Sequence, residues 1–220
     1  MKYLVFEKYK NLLQDRINKI SFLEIREDSI RYDFFVAFSE IEKLSPSDIQ
    51  LEYSIHKSAY IPRANQQSKR NENPQIDLVV DTSTNKLNFE FGLFRRNSNE
   101  NGSIDKTAKT IKMINDMIRL ALDSKFTNRD SYFICVADEK ILGHQLQSKI
   151  IDAFPSKYLI DKGLIQKMKQ LKTSRLDNRF INKLCELDLK INCDIIFNEK
   201  IEAISLDLET RVIVWKVNLL

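Results

Sequence analysis

Glycine and proline number four each in the 220 residues, cysteine three and histidine two. So little glycine and proline excludes collagen, flexible linkers and low-complexity disorder. It also leaves no glycine-rich phosphate cradle, since neither a Walker loop nor a G-x-G-x-x-G run occurs. Cys135, Cys185 and Cys193 are odd in number and widely spaced, with no C-x-x-C, which speaks against a disulfide framework or a structural zinc site. Cys135, within YFICVA, reads as a buried small hydrophobe. His56 and His144 lie far apart, and neither stands beside a ligand or nucleophile pattern. No apolar run approaches the ~18 residues that cross a bilayer. The stretch MKYLVFEKYKN, broken by Glu7 and Lys8, is too short in apolar residues for a signal peptide, so a soluble cytoplasmic protein is expected. Neither sign of charge dominates: 35 basic against 31 acidic residues give +4, a surplus that does not by itself imply nucleic acid.

What is present is an ordinary globular mix, 43% apolar and 30% charged, long enough for one large domain or a domain with an appendage. Periodicity predicts a helix over 2–20, with Phe6, Leu13, Ile17 and Ile20 on one stripe. A second helix, capped by Asp28 or Ser29, is expected to run to Leu44 with Ile30, Phe34, Phe38 and Ile41 inward, Pro46 lying beyond. Strands follow over 49–55, 75–81 and 86–94, the last two separated by the turn-prone TSTN. Ser103 is a good N-cap for a helix over 104–125, and 131–137 reads as a buried strand. Residues 141–190 look mostly helical, broken near Pro155 and Gly163. The tail reads as strands at DIIFN, EAISL and RVIVWKV. The expected architecture is α/β: a mixed sheet flanked by helices over 1–140, then a helical and β-hairpin extension over 141–220 packed on the same domain.

The hairpin of residues 75–94 carries the chemistry. With its turn centred between Ser83 and Thr84, Val80 faces Leu87, Leu78 faces Phe89 and Ile76 faces Phe91. Burial of that apolar face sets the register, because a slip of one residue would turn it to water. Asp77 then lies opposite Glu90 on the other face. At about 5 Å the repulsion is on the order of 1 kcal/mol in water and ~3 kcal/mol in a partly buried cleft. Two readings are open: solvated acids on an exposed face, or ligands of a divalent cation that reverses the sign of that cost. Oxygen-only ligands suit magnesium or manganese. Glu52, in mid-strand, is either a third acid of that cleft or a solvent-facing charge. The segment from His56 to Arg70 carries Lys57, Arg63, Lys69 and Arg70 and no acid, as a solvated loop or a phosphate-contacting one.

An aspartate at one strand, a glutamate on the next thirteen positions later, a helix before and a helix and strand after resemble the PD-(D/E)XK phosphodiesterase superfamily, the restriction-endonuclease-like fold, over roughly residues 30–137. The motif acids correspond to Asp77 in PQIDLVV and Glu90 in NFEFG. The resemblance implies a metal-dependent nuclease. Two positions depart from the pattern: Pro74 stands three residues before the aspartate, and Gly92 stands where the family has its lysine. The run EFGLFRR is similar to that of the cap-snatching viral endonucleases, in which the catalytic lysine has moved to the following helix. Lys106 is the matching position here, with Lys109 one turn further. Those enzymes carry a histidine on an earlier helix, which 29–44 lacks. Arg96 shares the face of Glu90 and is a further phosphate contact under this resemblance.

The expectation is therefore a magnesium- or manganese-dependent endonuclease. Asp77, Glu90 and Lys106 are its catalytic residues and Asp77, Glu90 and Glu52 its metal ligands. Lys57, Arg63, Lys69, Arg70, Arg96 and Lys109 contact nucleic acid. DNA is preferred over RNA, in microbial restriction or defence. The alternatives are a viral-type RNA endonuclease and a degenerate nuclease fold binding nucleic acid or protein. RVIVWKV is either core or an exposed edge inviting a homodimer, and the basic stretch from Lys162 to Arg179 is a charged helix face or a binding one.

Overall fold

Val5, Phe6, Tyr9, Leu13 and Ile17 recur every three or four positions. In the computed structural model they are the buried stripe of helix α1, Lys2–Ile17. The structure describes residues 2–62, 73–95, 106–138, 157–170, 176–204, 206 and 208–220, with Lys2, Lys106 and Thr107 described by backbone alone. Helix α2, Glu27–Glu42, opens on Glu27 and Asp28, whose charges suit the positive end of the helix dipole. It closes at Lys43, which turns left-handed (φ 54°) and donates its N–H to the Ser39 carbonyl. Arg16 clasps Asp33 through two bonds of 2.6 Å and pins α1 to α2.

Strands β1 (Ile49–Ser54), β2 (Gln75–Asp81) and β3 (Lys86–Phe94) precede helix α3 (Lys106–Thr127) and strand β4 (Asp130–Asp138). Strand β5 (Lys157–Ile160), helices α4 (Lys162–Lys169) and α5 (Asn178–Glu186), and strands β6 (Ile191–Lys200) and β7 (Thr210–Leu219) follow. The seven strands among the described residues form one sheet in the order β1-β2-β3-β4-β7-β6-β5. β3 and β4 run parallel, which a crossover helix such as α3 permits, and the other neighbours are antiparallel. Two cores sandwich the sheet. One packs α1 and α2 on Leu78, Val80, Phe89 and Phe91, with Phe34 at its centre. The Phe34 ring lies 4.8 to 6.4 Å from those of Phe6, Tyr9, Phe38, Phe89 and Phe91. The other packs α3, α4 and α5 on Ile76, Val79, Phe94, Phe133 and Trp215. Among the described residues no helix is long and apolar enough to cross a membrane.

The class is α/β, a mixed sheet flanked by helices, and β2 and β3 have the bounds expected from sequence. The stretch 141–190 differs, because Lys157–Ile160 is an edge strand, short enough to escape a periodicity test. Near Gly163 a helix begins, α4 being capped by Asp161 and carrying Gly163 in its first turn. The strand expected over 202–206 is replaced by a turn, in which the Leu206 N–H reaches the Ala203 carbonyl at 3.2 Å. Ile20 and Ile41 are exposed and not inward. RVIVWKV lies inside β7, paired on both sides. It therefore offers no free edge for a homodimer.

Candidate active site

The β2–β3 register is the expected one: Val80 pairs with Leu87 and Leu78 with Phe89. The ladder stops there, while β2 stays paired to β1 as far as Gln75. Beyond Leu78 the first two strands part from β3, and Asp77 stands where they part. Its Oδ2 accepts the Phe91 N–H at 2.9 Å. β1 kinks in the same row: Leu51 pairs with Leu78 and Tyr53 with Ile76, leaving Glu52 opposite Asp77 with a left-handed backbone of φ 52°. For a residue with a side chain that conformation costs about 1–2 kcal/mol. Both strands change face there. Ile76 joins the α3 core although Leu78 and Val80 belong to the α2 core, so the continuous apolar face expected from Ile76 to Val80 is interrupted at Asp77. Asp77 lies close enough to Glu90 for its carboxyl group to oppose the ionisation of Glu90.

Helices from both faces converge on this row. From α2, Arg31 Nη2 donates to Asp77 Oδ1 at 2.9 Å, and Arg31 Nη1 lies 3.7 Å from Glu52 Oε1. From α3, Arg119 Nη2 lies 2.9 Å from Glu90 Oε1 and 2.7 Å from Asp116 Oδ1. Lys112 Nζ donates to the Phe91 carbonyl at 2.8 Å and to Asp116 Oδ2 at 3.0 Å, with Glu27 Oε1 at 3.4 Å. Glu90 is 1% exposed. Burial pushes its pKa well above the ordinary range; Arg119 opposes the shift, and Asp116 and Asp77 add to it. Glu27 is raised in the same sense, first by burial. Burial alone would lower Lys112 and Arg119, but the surrounding carboxylates more than reverse this and hold both cations protonated. The surrounding carboxylates thus favour the charged form of Lys112.

Of the residues expected from sequence, Asp77 and Glu90 are brought together. Glu52 joins them only through Arg31, and its side chain is 65% exposed. The expected third metal ligand is therefore not in place: among the described residues no three His, Cys, Asp or Glu side chains gather as a ligand set. Lys106 begins α3, but its side chain is not described. Lys57 is exposed in a short turn over 57–59. Lys109 donates to the Arg95 carbonyl at 2.7 Å, which ties α3 to the end of β3. Arg63, Lys69, Arg70 and Arg96 lie outside the described residues. His56 is no ligand, as its Nδ1 accepts the Ser58 N–H and its ring stacks on Phe126.

Gly92 has a steric cause. A Cβ there would come within 2.8 Å of the Phe94 ring and 3.0 Å of Phe133, both buried. The ring of Phe94 fills the space through which a lysine on β3 would leave its strand. Accordingly, Gly92→Lys is expected to destabilise the protein by at least the ~1–3 kcal/mol of an overpacked core, visible as a lower urea midpoint, and to add no activity. The cations come from α3 instead. Lys112, Asp116 and Arg119 follow one another at helical spacing and were not singled out from sequence, nor was Arg31. The available signal was charge next to the apolar stripe Ile111, Ile114 and Ile118.

A cleft of about 990 Å³ opens beside this cluster, with Lys112, Asp116 and Arg119 on its α3 side and residues 176–179 and Asn182 opposite. No protein-family model, curated protein or solved structure matches the chain.

Proposed function

We propose that the chain is a metal-dependent phosphodiesterase that cuts nucleic acid, akin to the PD-(D/E)XK nucleases. One observation carries this reading. Two carboxyl groups, one nearly fully buried, lie near enough to oppose each other's charge where β2 parts from β3. Like charges side by side destabilise a sheet, and the chain sets one arginine against each of these acids instead of doing without them. The element order α2-β1-β2-β3-α3-β4, with β3 and β4 parallel, supports it.

The donors suit a hard divalent cation. Asp77 and Glu90 offer oxygen only, and the buried Glu90 Oε1 has Arg119 Nη2 at 2.9 Å, a cation that a metal would have to share or displace. Magnesium is commonly held by one or two carboxylates, with water and substrate phosphate completing its shell. Asp77 and Glu90 are the residues that would hold magnesium or manganese, which when bound lowers the pKa of water and offsets charge developing at phosphorus. The chain's own residues do the remaining work. Arg119 and the Phe91 N–H orient Glu90 and Asp77. Lys112, its charged form favoured by the surrounding carboxylates, supplies the positive charge that Gly92 cannot. Arg31 holds the outer oxygen of Asp77.

The test is incubation of plasmid DNA and of single-stranded DNA and RNA with the protein and manganese. Asp77→Asn is expected to lower the rate by at least about a thousandfold. Cleavage that ignores the metal or this substitution refutes the reading. The ion pairs Arg31–Asp77 and Arg119–Glu90, which neutralise both acids, favour a second reading: the same fold binding nucleic acid or a protein partner without cutting it. Calorimetric titration with manganese separates the two, since heat that vanishes in Asp77→Asn belongs to the first.

A further inference from the structure

The cleft beside the acid pair has a composition of its own. On its α3 side lie Lys112 and Arg119, and the buried Arg119 Nε has no hydrogen-bond partner among the described residues. On the other side the start of α5 presents Asn178 and Asn182, exposed and one helical turn apart. Between them the guanidinium of Arg179 is fixed in orientation. Asp177 accepts from its Nε at 3.0 Å and its Nη2 at 2.7 Å, and the Phe180 ring lies 5.6 Å behind it. The Ile61 N–H, bonded to the Arg179 carbonyl at 3.1 Å, brings Ile61 and Pro62 to the rim.

We propose that this cleft binds a single strand of nucleic acid, with its phosphate toward Arg119 and Lys112 and a base between Arg179 and Asn182. The proposal rests on the nuclease reading for its purpose and on the cleft for its substance. Three features favour a single strand over a duplex. At about 990 Å³ the cleft sits at the upper end of the ~300–1,000 Å³ that take one small ligand, the scale of a nucleotide or two and not of a paired helix. Asparagine amides donate and accept at once, which matches the Watson–Crick edge of an unpaired base. A planar guanidinium whose orientation a carboxylate fixes offers a stacking face that only an unstacked base can use. The way from the cleft to Glu90 ends on Arg119 and Asp116, so a strand seated there brings a phosphate to the side chains that hold Glu90.

The experiment is fluorescence anisotropy in calcium, with labelled DNA and RNA strands of about ten nucleotides, within the usual single-strand site size, and a blunt duplex of the same DNA sequence. The parent is expected to bind at least one of the strands about tenfold more tightly than the duplex. The two strand arms tell which sugar is preferred. The Asn178→Ala/Asn182→Ala double variant, altered only at exposed positions, is expected to lose on the order of tenfold in strand affinity while its melting temperature and its manganese heat stay unchanged. A duplex bound as well as the strands, strands bound equally by parent and variant, or no binding at all overturns the proposal. Strand binding sensitive to the asparagines, in a protein that takes no manganese at Asp77, would sink the nuclease reading and leave the cleft assignment standing.

Discussion

Arg119→Ala is expected to destabilise the protein by about 3–5 kcal/mol, the usual consequence of removing one partner from a buried ion pair. The size follows from what the guanidinium serves. A single nitrogen, Nη2, lies within 2.9 Å of both Glu90 and Asp116, whose side chains are 1% and 5% exposed. Without it the buried Glu90 carboxylate is left uncompensated beside Asp116, which keeps only Lys112 at 3.0 Å. Glu90 relieves part of the cost by binding a proton, so the loss is smaller in acid than at neutral pH. Urea denaturation of the parent, Arg119→Ala, Glu90→Gln and the double variant closes a thermodynamic cycle. The double variant is expected to be more stable than Arg119→Ala alone. Additive effects, or a loss below about 1 kcal/mol in the single variant, would remove Arg119 from the site's support.

The second large effect concerns pH. In the folded protein Glu90 binds its proton more tightly than in the unfolded chain, because burial and then Asp116 and Asp77 penalise its charge. Below the ordinary glutamate pKa both states are protonated and the group's contribution is complete. As pH rises the unfolded chain ionises first, so this contribution shrinks until the folded pKa is passed. The metal-free parent is therefore expected to melt at a lower temperature at about pH 8 than at about pH 5, and Glu90→Gln is expected to flatten that decline. Manganese acts in the opposite direction on the parent, because a cation favours the ionised carboxyl. It is expected to do nothing for Glu90→Gln. Identical melting profiles for parent and variant across this range would falsify the burial argument for Glu90.

The hairpin was legible because its physics is local. TSTN marks a turn, and β-branched and aromatic residues alternate on either side of it, so both strands and their register can be read from sequence. That register places Asp77 opposite Glu90, half of the candidate site. The other half depends on the tertiary fold. Lys112, Asp116 and Arg119 sit on an amphipathic helix where charges ordinarily face water, and only the packing of α3 across β3 turns them onto Glu90. Arg31 reaches Asp77 from a residue 46 positions away, beyond any local pattern. The left-handed kink at Glu52 is equally silent, because glutamate carries no preference for it. β5 is four residues long, below the length at which alternation separates strand from coil.

The order of the sheet has a consequence for biogenesis. β7 is the last strand in sequence and lies in the interior between β4 and β6. Until residues 210–219 have been synthesised, β4, buried at almost every position once folded, presents an open backbone edge beside β3. An emerging chain in that condition is a template for pairing with its neighbours. Chaperone demand during translation, and insolubility of any variant that weakens Val212–Val217, follow from where that one strand is inserted.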